Sequence, residues 1–252
     1  MTERDVPGVD GWSGVADGIE GALRSAATPE RAAGEKAYLK SDLAFVGARL
    51  AEIRRVAGEA WHIHREGGHD ALVALVEALW SQPIFERRMA AAVLLELGAP
   101  ILTLRDLPLL ERLLRASRTW ALVDWIAGDV VAKMRLADPR VESTLERWSR
   151  DPDFWIRRSA LLAHLRRVRR GEELGPFATY ADALLDEREF FIRKAIGWVL
   201  REAGKRRPDE VIAWLAPRTH RASGVTMREA VKYLPRADAQ RLMTAYREKR
   251  PA

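Results

Sequence analysis

The chain has 252 residues, 48% of them hydrophobic and 31% charged, so it is long enough to bury a core and suits one domain or one continuous repeat array. It contains no cysteine, which excludes disulfides and thiolate metal sites and is typical of a reducing cytosolic compartment. Forty-two Lys and Arg against 36 Asp and Glu give a net charge of +6, which favours a polyanionic partner such as nucleic acid.

No stretch approaches the roughly 18 apolar residues of a membrane span, and the polar N-terminus lacks the basic start of a signal peptide. We therefore expect a cytoplasmic, nucleoid-associated protein without a membrane partner. His62, His64 and His69 form no recognised ligand pattern, so a solvated loop is favoured there and no metal site is predicted.

In chain order, residues 1–13 are predicted to be a flexible tail, and residues 14–252 a single repeat domain. Helices are predicted over 15–27, 28–40 and 47–61, because apolar residues recur at spacings of three and four. Further helix starts are marked by Pro and Asp at 106–108, 138–139, 151–153 and 208–209, where they cap and preset the first turn. Strand alternation is essentially absent.

Five further helices align when the chain is compared with itself. They begin at Ile84, Thr119, Phe154, Phe190 and Val225, so the starts are separated by 35, 35, 36 and 35 residues. Each is preceded by another helical segment, which makes the unit a helix pair close in length to HEAT-like repeats. The fold class is therefore all-α, a right-handed superhelical solenoid of helix pairs with a concave face on which DNA would lie.

The repeat register places four residues on one helical stripe. With Trp120 as the first position, Asp124 lies four residues on, Arg158 aligns three residues on, and Trp198 aligns seven residues on. The aromatic column of this register has a second interpretation, because such columns more often pack between repeats. From periodicity alone Trp120 is favoured as core, and Trp125, Trp148 and Trp155 are assigned to core as well.

Basic residues recur beside this stripe and predict a track for DNA phosphates. The members of the track are Arg87, Arg88, Arg157, Arg158, Arg193, Lys194 and Arg228. The alternative is a plain solvated face with no dedicated partner.

Four segments carry a family resemblance. They are the run from Glu189 to Glu202, which contains Phe190-Phe191-Ile192-Arg193-Lys194 and Gly197-Trp198; the run Thr119-Trp120-Ala121-Leu122-Val123-Asp124; the run Phe154-Trp155-Ile156-Arg157-Arg158; and Tyr38-Leu39-Lys40 followed by Phe45-Val46-Gly47. Their order and spacing over residues 15–235 resemble the AlkD-type alkylpurine DNA glycosylases.

The resemblance implies a C-shaped array of HEAT-like helix pairs and hydrolysis of the N-glycosidic bond of cationic alkylated purines in base excision repair. It implies Asp124 as the catalytic carboxylate, Trp120 and Trp198 beside the sugar of the lesion, and Arg158 on the backbone. Tyr38 and Lys40 join the predicted DNA contacts. The expected partner is duplex DNA with methylated or bulky purine adducts, bound by a monomer without base flipping, metal or cofactor.

Two alternatives remain open beside the glycosylase. One is a non-catalytic solenoid that binds damaged or branched DNA, which the basic columns favour. The other is a protein-interaction scaffold, which negligible DNA affinity at low salt would favour.

Overall fold

The computed structural model describes residues 9–248. Within them the chain is helical, and the only strand-like pairing in that range is an isolated bridge between Ala44 and Ile84. The predicted all-α class is confirmed. Contacts between residues divide the chain into two compact units, with the boundary between Ile126 and Ala127.

The first unit is built around α5. Its helices are α1 (Val9–Ser25), α2 (Pro29–Leu39), α3 (Leu50–His64), α4 (Gly68–Trp80), α5 (Phe85–Leu97), α6 (Leu107–Arg115) and α7 (Trp120–Trp125). Helix α5 is buried on nearly all sides because it packs against α1, α3, α4 and α7. Short 3-10 turns at Arg65–Gly67, Ala99–Ile101 and Leu104–Asp106 connect these helices.

The second unit is built around α13. After a π-helical segment, Ile126–Val131, its helices are α8 (Ala132–Ala137), α9 (Val141–Trp148), α10 (Phe154–Leu162), α11 (Leu165–Arg169), α12 (Pro176–Ala183), α13 (Phe190–Gly204), α14 (Pro208–Leu215), α15 (Gly224–Ala230) and α16 (Arg236–Glu248). Helix α13 packs against α10, α11, α14 and α15. Gly197 permits the close approach of α15, since a Cβ there would lie 2.7 Å from Glu229 Cβ.

The predicted starts of α2 and of the five repeat helices agree with the structure to within one residue, and side-chain caps explain all of them except that of α5. Helices α1 and α3 instead begin six residues before and three residues after their predicted starts. Thr119 accepts the amide N–H of Ala121 before α7, and Asp153 accepts that of Trp155 before α10. The same type of cap precedes α2, α13 and α15, where the capping residues are Thr28, Glu189 and Ser223. Each cap satisfies an amide that the first turn leaves without a partner.

The N-terminal boundary differs from its prediction. Residues 1–8 of the expected tail lie outside the described residues, but residues 9–13 belong to α1, and the Trp12 indole is buried with its ring 5.1 Å from that of His64. Residues 1–13 are mostly polar and carry no helical apolar pattern, so the anchoring role of Trp12 was missed. The single domain over 14–252, the hand of the superhelix and the concave face stay predictions.

None of the helices in residues 9–248 has the combination of length and apolar character that crossing a bilayer requires.

Candidate active site

Trp120 and Asp124 lie one turn apart on α7. Side chains four residues apart share a helix face, so the carboxylate and the indole are neighbours. Both residues are partly exposed, whereas Leu122 and Val123 between them are fully buried. Trp120 is therefore not the core residue that periodicity alone favoured, and Asp124 is not sealed in the interior.

Tyr38, at the end of α2, packs against Trp120. The two rings meet at 83° with their centroids 5.7 Å apart, and Tyr38 is 71% exposed. Lys40 follows in a left-handed conformation with φ of 49° and is also exposed. An exposed phenol and an exposed cation thus lie at the end of α2, whose tyrosine contacts the tryptophan of α7.

The loop after Lys40 is held by a buried carboxylate on α5. Glu86 is fully buried and accepts the amide N–H groups of Val46, at 2.9 Å, and Gly47, at 2.5 Å. Gly47 has φ of +94°, and a Cβ there would lie only 2.2 Å from the Thr28 carbonyl oxygen, so the loop requires glycine at this position. Sequence reasoning missed Glu86, although it stands as an acid directly before two arginines.

Two cations of the first unit were also missed. The Arg54 guanidinium lies over the Trp125 ring, 5.1 Å from its centroid, and both residues are at least partly exposed, so Trp125 is not the buried core residue expected. Arg118, immediately before the cap of α7, pairs with Asp42 at 2.8 Å. Residue spacing in the sequence does not indicate that Arg54 of α3 lies next to Trp125 of α7, so Arg54 was not predicted.

In the second unit, Trp198 and Lys194 lie one turn apart on α13 and are both partly exposed. Lys194 binds the carboxylate of Glu229 on α15, and Arg201 binds the same group. Burial by itself raises the pKa of Glu229, but the two cations outweigh it and the pKa is lowered. Lys194 keeps enough exposure to meet a ligand as well.

Arg158 is more buried than expected of a residue that binds the DNA backbone. It is 3% exposed, its Nη1 donates to the carbonyl oxygen of Phe191, and its guanidinium lies over the Phe191 ring at 5.7 Å. It therefore supports the first turn of α13. Trp148 is fully buried, as predicted. Trp155, which was also assigned to the core, is instead partly exposed and packs on Phe154 and Phe191.

The predicted basic track is largely internal in the first unit. Arg87 is 3% exposed and forms ion pairs with Asp17 at 2.9 Å and Glu20 at 2.7 Å. Arg88 is also buried, and its Nη1 donates to the Ala116 carbonyl oxygen at 2.7 Å. Because both guanidinium groups are buried and already bound to groups of the protein, the assignment of Arg87 and Arg88 to DNA phosphates does not fit the structure.

Two arginines of the predicted track in the second unit are also bound to the protein, here through carbonyl oxygens of loops. Arg157 Nη1 donates to the Asp151 carbonyl oxygen at 2.6 Å, and its Nη2 pairs with Glu187 at 2.9 Å. Arg193 Nε donates to the Glu187 carbonyl oxygen at 2.6 Å. Both arginines thus bind a carbonyl six residues earlier, in the loop before their own helix. Of the predicted track, Arg228 is the exposed member within residues 9–248.

The three histidines considered for a metal are not in a common loop. His62 and His64 lie on α3 and His69 on α4, where it contacts the carboxylates of Asp70 and Asp106. Across residues 9–248 no three His, Asp or Glu side chains come together in a way that would hold a metal ion.

These features define an all-helical protein that carries a carboxylate and an indole side by side on one partly exposed helix face. A family model described as DNA alkylation repair enzyme matches residues 19–234. The chain belongs to this family, as the resemblance predicted.

A solved structure described as a predicted DNA alkylation repair enzyme from Enterococcus faecalis is similar to this chain. The two are 23% identical with a TM-score of 0.76, over 83% of this chain and 97% of that one. At this identity the likeness shows the shared fold. None of the curated proteins compared with the chain matches it.

Proposed function

We propose that this protein is a monofunctional DNA glycosylase that hydrolyses the N-glycosidic bond of cationic alkylated purines in duplex DNA. The observation that carries the proposal is the partly exposed Asp124, one helical turn from Trp120, in a member of the DNA alkylation repair enzyme family. An enzyme that removes an alkylated purine by breaking its glycosidic bond needs a group that stabilises positive charge on the deoxyribose, and this carboxylate is suited to that task.

The proposed chemistry follows from the charge of the lesion. Alkylation of a ring nitrogen makes the purine cationic, so the bond from C1′ to the base breaks with its electron pair passing to the base, which leaves neutral. The sugar then carries oxocarbenium-like charge, which the Asp124 carboxylate stabilises. A water molecule aligned by the same carboxylate attacks C1′ and loses its proton, giving an abasic site and the free base.

Aromatic faces support the same charge. Trp120 and Trp198 are proposed to lie beside the lesion's sugar, where an indole face attracts a cation by about 0.5–2 kcal/mol. Arg158 was expected to grip the backbone, and its burial against Phe191 supports a positioning role within its own unit instead. This chemistry calls for no metal or cofactor.

The DNA contacts proposed for this function are Tyr38, Lys40, Arg193, Lys194 and Arg228, which are exposed or partly exposed members of the predicted set. Arg157 is also partly exposed, but its charge is paired with Glu187. Reaction at the sugar does not require the base to leave the stack, so the proposal includes both methylated and bulky purine adducts, bound by a monomer in the cytoplasm.

The test is the release of free base. Purified protein is incubated with duplexes that carry methylated or bulky cationic purine adducts, and the excised product is identified by its mass. We expect a modified free base from at least one lesion and an abasic strand that alkali cleaves. The absence of release across the panel, with DNA binding intact, would refute the enzyme assignment.

A second candidate is a non-catalytic protein that binds damaged or branched DNA. The exposed cations Lys40 and Arg228 and the net charge of +6 favour it, because they suit phosphates without any catalytic group. It predicts salt-sensitive binding to branched duplexes that exceeds binding to linear ones, without base release. The glycosylase proposal predicts release from linear alkylated duplexes.

A further inference from the structure

A polar cleft lies in the second unit at the start of α15. It has a volume of about 410 Å³. Its charged and hydroxyl-bearing lining residues include Arg193, His220, Ser223, Arg228 and Tyr246. Since a water molecule occupies about 30 Å³, the cleft holds a small hydrated group with ease.

The lining of the cleft is positively charged. It contains the three arginines Arg193, Arg221 and Arg228 and one carboxylate, Asp186, which leaves a net charge of +2 before His220 is counted. Arg221 is neutralised by Asp186, at 2.7 Å. The excess therefore belongs to Arg193 and Arg228, and a bound anion would balance it.

Neither of these two guanidinium groups is neutralised by an acid. Arg193 Nε donates to the uncharged carbonyl of Glu187, so its charge remains. Arg228 is exposed and forms no ion pair within residues 9–248. Guanidinium groups bind phosphate oxygens through paired, charge-assisted hydrogen bonds.

Gly224 keeps the cleft open beside Arg228. A Cβ at this position would lie 2.9 Å from Tyr246 Oη and 3.0 Å from Arg228 Nη1. The phenol of α16 and the guanidinium of α15 thus approach each other over a residue without a side chain. Any larger residue would push one of these groups away.

We propose that this cleft binds one phosphodiester of the DNA backbone through Arg228 and Arg193, on a side of α13 different from that of Trp198. Successive residues of a helix are rotated by about 100°, so Arg193 and Trp198 are about 140° apart around α13 and face different directions. The contact is therefore made to backbone that undamaged DNA also has. The proposal rests on the proposed function only in taking DNA as the anion.

The test measures binding of an undamaged fluorescent duplex by anisotropy over a range of salt concentrations. For Arg228→Gln we expect roughly tenfold weaker binding at low salt, and a log–log salt slope smaller by about 0.9, the value of one phosphate contact. Arg170→Gln is the matched control, because it removes one exposed arginine of the same unit outside the cleft. It is expected to leave the slope near that of the wild type.

Gly224→Ala tests the cavity without changing any charge. Gly224 has an ordinary helical conformation, so alanine suits the backbone, and a thermal melt confirms folding. We expect weaker duplex binding, because the added methyl group displaces Arg228 or Tyr246. Wild-type affinity in Gly224→Ala, or equal losses in Arg170→Gln and Arg228→Gln, would overturn the proposal in favour of a diffuse basic surface.

A calorimetric titration with inorganic phosphate separates the two sources of this chemistry. Phosphate binding that Arg228→Gln abolishes, combined with unchanged duplex binding, would assign the cleft to a free anion and overturn the DNA contact. Because undamaged DNA is the ligand, a failure of base release leaves this test untouched.

Discussion

The rings of Tyr38 and Trp120 meet edge to face, with their centroids 5.7 Å apart. Trp120 shares its helix face with Asp124, so the tyrosine at the end of α2 restricts the indole that stands beside the carboxylate. Glu86 in turn fixes the loop that follows α2 through two backbone amides. A buried acid of α5 thereby stabilises the surroundings of the candidate catalytic residue.

Trp120→Phe tests the proposed role of the indole. Phenylalanine keeps an aromatic ring against Tyr38 but presents a weaker negative face to a cation, so we expect base release to slow by roughly 3–30-fold, equivalent to about 0.6–2 kcal/mol. The measurement is the single-turnover rate at saturating enzyme. Trp155→Phe is the matched control, since Trp155 occupies the same register position in the next repeat. Equal slowing in both variants would mean that only packing was disturbed.

Arg87→Met tests whether the internal arginines stabilise the fold. The substitution leaves Glu20 without its buried cation, and we expect a loss of about 2 kcal/mol in the free energy of unfolding. This corresponds to about 4–8 °C in Tm for a chain of this size. Urea unfolding and duplex binding are measured together, with exposed Arg170→Gln as the comparison. A fall in DNA affinity without a change in stability would restore Arg87 to the DNA interface.

The ion pairs of His69 are expected to stabilise the fold at low pH and to lose this effect as the pH rises. Its hydrogen bonds with Asp70 at 3.0 Å and Asp106 at 2.6 Å raise its pKa. The stabilisation of the folded state by protonated His69 is therefore complete below the pKa of the unfolded state, about 6.5. It is lost as the pH rises through the higher pKa of the folded state. In urea unfolding we expect His69→Gln to cost more at about pH 5.5 than at about pH 8.5, and the difference to shrink in high salt because the ring is exposed. A cost independent of pH would contradict this ion pair.

For His164 we expect the opposite dependence of stability on pH. It is 1% exposed, and neither ring nitrogen has a hydrogen-bond partner among the residues that the structure describes. The carboxylate oxygen of Glu142 is 3.8 Å away, too far for a hydrogen bond. Burial, followed by the charges of Arg135 and Arg167, lowers its pKa well below the usual value. The folded protein holds the neutral ring, so stability is present above about pH 6.5 and is lost as the pH falls.

His164→Phe measures this effect. Phenylalanine has a somewhat larger ring, but it packs beside Phe177 and Tyr180 without unpaired nitrogens, and we expect the variant to be more stable by about 1–2 kcal/mol at neutral pH. Its advantage should widen below about pH 6.5. The check is the free energy of unfolding across this range. A less stable variant at every pH would show that the imidazole makes a bond that phenylalanine cannot replace.

The sequence predicted the helices well because their signals are local. Thr119, Asp153 and Ser223 cap helices at the repeat positions, and each cap depends only on residues within three of it. The predicted tail was wrong at residues 9–13, and the reason is a long-range contact. Trp12 is buried beside His64, a contact over 52 positions that no local pattern reports.

The basic track was only partly predictable. Periodicity correctly placed Arg88 and Arg158 at equivalent positions, but their partners are carbonyl oxygens of Ala116 and Phe191 in later parts of the chain. The sequence shows which side chains are charged, but it does not show which backbone carbonyl oxygens will lie within hydrogen-bond distance of them. It therefore could not distinguish an arginine that binds the protein from one that awaits a phosphate.

The central claim concerns Asp124, and its most direct test is the single-turnover rate of base release from a duplex with one cationic methylated purine. Asp124→Asn keeps the shape of the side chain and removes its charge, so we expect the rate to fall by roughly 10²–10³-fold while binding of the duplex is retained. Asp209→Asn, an exposed aspartate of α14, is the control for loss of one carboxylate and should keep the wild-type rate. Wild-type release by Asp124→Asn would contradict the account.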